Sequence, residues 1–138
     1  MTSSAPLTVV QDAKLIALDA AGTADASVAE APFDGTVTAV RFTPDAAITG
    51  ATATKRTMTL ENRGQAGAGT TVIATLDFIT GVNATKHDEI DFTLSVVANA
   101  TNVVTGDILV CKEAVTSTGT ANPGGTIEVT FSRGEAGA

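Results

Sequence analysis

Alternation of apolar and polar residues with a period of two constrains this chain more than any other feature. In GTIEVTFSR (125–133), Ile127, Val129 and Phe131 alternate with Thr126, Glu128 and Thr130, the spacing of a pleated strand with one buried and one wet face rather than of a helix. The same pattern turns Met58 and Leu60 of RTMTLEN inward against Thr57, Thr59 and Glu61. In TTVIATLDFI it sets Val72, Ala74, Leu76 and Phe78 on one side, and in EIDFTLSVVA it does so with Ile90, Phe92, Leu94 and Val96. DGTVTAVRF supplies Val40 and Phe42 behind Thr38. The enrichment in threonine and valine supports strands independently of the alternation.

Further strands are expected at AKLIALD, DASVAEAP and GDILVCKEA, with turn chemistry at DAAGTAD, PFDG, TPDAAITG, TGVNATKHD, ATNVVTGD and TSTGTANPGG. The stretch 44–54 reads as a long loop carrying a short strand. A faint echo between GTVTAVRFTPDAAITG and FTLSVVANATNVVTG reflects similar strand-and-loop chemistry rather than a repeat. About eight short strands in 138 residues predict one all-β domain, an antiparallel β-sandwich or jelly roll. Residues 1–12 read as an N-terminal arm, 13–133 as the sandwich and 134–138 as a flexible tail.

The glycine-rich stretch GQAGAGTT (64–71) poses a choice between a phosphate cradle and a turn. A phosphate loop needs the lysine and hydroxyl of G-x-x-x-x-G-K-[ST] at the mouth of a helix. Here the lysine is missing and strands flank both sides, so a hairpin connection is favoured.

Composition narrows the function. A formal net charge of −7, with eight Lys and Arg spread along the chain, disfavours nucleic acid and anionic membranes as partners, because both draw on clustered basic residues. Aromatics are 4% of residues and all are Phe, so the Trp and Tyr platforms that stack bases or sugars are absent. No run approaches the roughly 20 apolar residues that cross a bilayer, and MTSSAPLTVVQDAKL does not read as a signal peptide; the expectation is a soluble product of the cytoplasm. The single cysteine, Cys111, has no internal disulfide partner and reads as a small buried apolar residue. A mean hydropathy of +0.24, high for a small acidic protein, points to apolar surface covered by a partner or by further copies.

Candidate chemistry is sparse. His87, beside Asp88, Glu89 and Asp91 in TKHDEID, is the one cluster that invites a metal, but the spacing D-x-[DN]-x-[DN]-G-x5-E is missing and the stretch reads as a solvated turn entering a strand. A Ser-His-Asp or Cys-His arrangement has only His87 to draw on, and Ser95 and Ser132 read as outward strand residues. The sequons Asn83-Ala84-Thr85 and Asn99-Ala100-Thr101 read as chance products of a Thr- and Ala-rich chain. No catalytic residue, cofactor or metal is assigned, and no enzyme activity is expected.

In the stretch APFDGTVTAVRFTPDAAITGATATKRTMTLENRGQAGAGTT, and again in VVTGDILV and NPGGTIEVTFSR, the chain resembles the capsid decoration, or cement, proteins of tailed phages infecting actinobacteria, over roughly residues 30–133. The resemblance implies a non-enzymatic virion protein made in the host cytoplasm. It implies binding to the major capsid protein on the outer capsid surface, as a homotrimer, and stabilisation of the shell against internal pressure. Leu7, Val9 and Val10, apolar residues of the arm, are the expected capsid contacts. The alternative is a head-fibre or tail-associated β-module that binds a receptor or carbohydrate.

Overall fold

The alternating segments become ten strands in the computed structural model, which describes residues 6–134. They are β1 (Leu7–Leu15), β2 (Ala24–Glu30), β3 (Gly35–Pro44), β4 (Arg56–Asn62), β5 (Thr71–Asp77), β6 (Ile90–Asp91), β7 (Thr93–Leu94), β8 (Asn102–Val103), β9 (Ile108–Val115) and β10 (Gly125–Arg133). Two antiparallel sheets pack face to face. One runs β1-β10-β3, with β6 and β8 sharing the far edge of β3; the other runs β2-β9-β4-β5-β7. The architecture is a β-sandwich, and among the described residues there is no helix.

The inward faces meet in one core. Phe42, Phe78, Phe131, Met58, Leu60, Leu109, Ile127 and Val129 are sealed from solvent, and each large side chain so buried contributes on the order of 2 kcal/mol. Three β-bulges adjust which residues reach this core. Thr130 pairs with Ala39 and Phe131 with Val37, leaving Thr38 as the extra residue and letting Val37 and Val40 both face inward. Leu60 pairs with Ala74 but Glu61 with Val72, so Ile73 is extra. This corrects the strict alternation expected from Val72: Ile73 and Ala74 are both buried, while Val72 is turned out and exposed. A bulge bends the strand and reverses its parity on one side. The third, at Val28 between β2 and β9, buries that valine.

The stretch EIDFTLSVVA is also corrected. It is two short strands, β6 on β3 and β7 on β5, with Phe92 as the point where the chain changes sheets. Past Leu94 the strand stops, and Val96, expected inward, is 99% exposed.

The boundary of the expected arm moves as well. Residues 7–12 are not an arm: they pair with β10 from Leu7 opposite Arg133 onward, continuing a strand that ends with Leu15 opposite Gly125. The outer edge of β10 offers backbone donors and acceptors that the alternating Val9, Ala13 and Leu15 allow β1 to meet while facing the core. Residues 1–5 of the arm and 135–138 of the tail lie outside the described residues. At the open side of the sandwich the edges of β1 and β2 run close together. The Gln11 amide bridges them, donating to Glu30 O at 2.7 Å and accepting from Glu30 N–H at 3.0 Å.

Candidate interaction surface

The strand registers define two ends. At one, Leu7 and Arg133 stand opposite each other, so β1 begins where β10 ends; β3 begins there at Gly35, opposite Val103 of β8. We call this the terminal end. At the other, β4 begins at Arg56 opposite Val115 of β9, and β10 begins at Gly125.

The glycine-rich stretch belongs to the terminal end and is a hairpin loop between β4 and β5. Its polar groups are used within the chain. Gly64 N–H donates to Asn62 Oδ1 at 2.8 Å, Gly69 N–H to Arg63 O at 3.0 Å, and the Gln65 amide to Thr105 O at 3.0 Å. The other side of Asn62 donates to Asp107 Oδ2 at 2.9 Å, and the same carboxylate oxygen accepts from Val104 N–H at 2.9 Å. Asp34 accepts from both the N–H and the hydroxyl of Thr105, and these bonds to its charged form hold its pKa below the usual carboxylate value.

At the same end stand apolar side chains open to solvent. Val96 is 99% and Val97 70% exposed, with Val104 and Leu7 also open to solvent. The loop bearing the two valines is held: Val97 N–H donates to Ser95 Oγ at 3.2 Å, Ala100 N–H to Val97 O at 3.1 Å, and Asn102 N–H to Asn99 O at 3.1 Å. Asn99 takes a positive φ of 64°, a conformation that asparagine tolerates better than most residues, and Ala100 is tucked in behind. From Leu7 across β10 and β3 to β8 is three strand spacings, about 15 Å, so these residues form one rim.

The opposite end is sealed by buried charge. Arg56 is 0% exposed. Its Nε donates to Thr120 O at 2.7 Å, its Nη2 to Asp19 O at 3.0 Å, and its Nη1 lies 3.4 Å from Glu113 Oε1. Asn122 donates to the same Glu113 oxygen at 2.5 Å and accepts from Gly124 N–H at 2.9 Å. Burial lowers the Arg56 pKa against the opposing pull of Glu113. The network ties the β1–β2 and β9–β10 loops to β4. Sequence reasoning passed over it, although Arg56 shares inward parity with Met58 and Leu60, and Glu113 with Leu109 and Cys111. The signal was the alternation itself, read only for apolar residues.

Other residues singled out from the sequence sort as follows. His87, Asp88, Glu89 and Asp91 are exposed, and His87 sits at a positive φ of 60° in the turn before β6. Glu89 and Asp91, with Glu128, surround Arg41 at 3.7, 3.2 and 3.4 Å, and these acids raise its pKa. Cys111 is buried as expected, and burial pushes its thiol up to about 12. Ser132 lies on β10 with its hydroxyl 3.4 Å from those of Thr8 and Thr38; Ser95 follows β7 instead of lying in a strand. Asn83 accepts from Gly50 N–H at 2.9 Å. Of the expected contacts, Leu7 is on the rim and Val10 on the outer face of β1, both exposed. Val9 packs against the core, because alternate residues of a strand face opposite sides, and it is not free to meet a partner.

Comparison with family models, with curated proteins and with solved structures found no match.

Proposed function

We propose that this chain is a non-enzymatic virion protein that binds the outer surface of a tailed-phage capsid and stabilises the shell. The observation that carries the reading is the rim at the terminal end. Val96 and Val97 are held outward by their own loop, and Val104 and Leu7 share the same end. Exposed apolar side chains on a braced scaffold suit a permanent partner better than free solvent, and the remaining surface, acidic and threonine-rich, suits the outside of a crowded particle. Leu7, Val96, Val97 and Val104 are the contacts with the major capsid protein in this reading, and many copies bridging neighbouring subunits add modest contacts into a firm hold.

The test is co-sedimentation with undecorated capsids and the melting temperature of the loaded capsids. Wild-type protein pellets with capsids and raises their melting temperature, whereas V96D/V97D stays in the supernatant while folding normally. Protein that ignores capsids and binds host cell-wall glycan instead overturns the reading in favour of a receptor-binding module.

A further inference from the structure

We infer that β1 is an interface at which a second copy of this chain adds its own β1, antiparallel, about a two-fold axis through Ala13. The starting observation is an open edge. β1 pairs with β10 on one side, stands at the end of its sheet, and pairs with no other strand among the described residues. A strand this long with an uncovered edge invites pairing with another chain. The Gln11 amide secures β2 at Glu30 but leaves the backbone edge of β1 unused.

The outer face of β1 identifies the occupant. Val10 on β1 and Ile16, the residue just past its end, are exposed apolar residues, 51% and 71% open, and between them on the strand lie Asp12 and Lys14, also exposed. With Ala13 on the axis, Val10 meets Ile16 of the second copy and Asp12 meets Lys14 of the second copy. Symmetry repeats both pairs, so each apolar residue covers an apolar one and each charge meets its opposite. Other registers fail this. An axis at Asp12 or at Lys14 sets like charges against each other; an axis at Gln11 puts Val10 opposite Asp12; an axis at Val10 puts Thr8 opposite Asp12. Cross-strand opposites stabilise and directly opposed like charges destabilise. The register also relieves an internal conflict. Within one chain Asp12 faces Glu128 across the β1–β10 ladder, and Glu128 already shares Arg41 with Glu89 and Asp91. Lys14, now held by Asp45 at 2.6 Å, supplies the missing cation from the second copy.

Such a dimer joins two sheets into one and, because the strands run antiparallel, points its two terminal ends in opposite directions. It is a two-fold assembly, where the resemblance implies a trimer. The inference does not depend on capsid binding, since the rim at the terminal end and the edge of β1 are different surfaces.

Sedimentation equilibrium of the full chain tests it. Wild-type protein is a dimer that weakens with salt; Asp12→Lys or Lys14→Asp alone weakens association by about 100-fold. The double exchange D12K/K14D restores it. Mixing the two single variants gives a heterodimer, because all four facing charges, two of them reversed, then meet opposites, and no merely structural role for these residues produces that rescue. Circular dichroism of each variant confirms folding. A wild-type monomer at about 100 μM, a wild-type trimer, or single variants that dimerise unchanged overturns the inference. Capsid co-sedimentation, read separately, leaves the two conclusions distinguishable.

Discussion

Where β4 begins, an arginine, a glutamate and an asparagine are shut away from water and bonded to two loops; where β1 begins, two valines stand in open solvent on a loop held by its own hydrogen bonds. Both ends face the same problem, since the ends of a sandwich are where backbone groups lose their ladder partners. The sealed end answers it with a buried polar network, which is costly to disturb because every member depends on the others. The terminal end answers it with partly buried hydrogen bonds at Asn62 and Asp107 and exposed ones at Asp34, leaving Val96, Val97 and Val104 outside the core. One end is closed by the fold; the other keeps apolar side chains outside it.

That contrast breaks if substitutions at the two ends cost the same. Arg56→Met leaves Glu113 buried without its cation and the Thr120 carbonyl without its donor, while Asp19 O keeps Gly22 N–H, and the expected loss is about 3 to 5 kcal/mol, read from the urea midpoint at unchanged slope. Adding Glu113→Gln recovers part of it by removing the stranded charge. A loss below about 1 kcal/mol would mean that water enters this end and that the network is not sealed.

Glycines give a matched pair. Gly119, at the sealed end, has a φ of +73° and an added Cβ would lie 1.9 Å from Ala20 O; Gly67, in the hairpin loop of the terminal end, has a φ of +82° and open space around it. Both substitutions to alanine suffer the left-handed backbone penalty, but only Gly119→Ala also collides. Thermal unfolding should show a loss of about 3 kcal/mol for Gly119→Ala against about 1 kcal/mol for Gly67→Ala. Equal losses would show that backbone conformation alone sets the cost at both ends.

The smallest expected effect sharpens the comparison most. Val96→Asp changes stability by less than about 0.5 kcal/mol in the same melting experiment, since its side chain touches nothing that the fold needs. A larger loss would assign Val96 to the fold and take it out of the contact rim.

Much of this molecule was legible in the sequence. The alternation in GTIEVTFSR and RTMTLEN placed Ile127, Val129, Phe131, Met58 and Leu60 inside, and all are buried. Flanking strands and a missing lysine made GQAGAGTT a turn, and it joins adjacent antiparallel strands. Cys111, inside an apolar run, is buried. These features are local: a strand's parity and a loop's chemistry are written in neighbouring residues.

The contact rim was less legible. Of Leu7, Val9 and Val10 only Leu7 lies on it, and Val96 was expected in the core. Deciding that requires knowing where a strand ends, and β7 ends at Leu94 because the chain crosses between sheets, which no neighbouring residue announces.

By itself, then, the sequence determined the all-β class, the inward face of each long strand and the hairpin between β4 and β5. Only the tertiary structure decided that β1 is an edge strand, that Ile73 displaces Val72 from the core, and that Arg56 finds Glu113, 57 positions further along the chain. The reason is physical. Parity follows from the geometry of one strand, whereas bulges, edges and buried charges are settled by the partner lying alongside, and in this fold nearly every partner comes from a distant part of the chain.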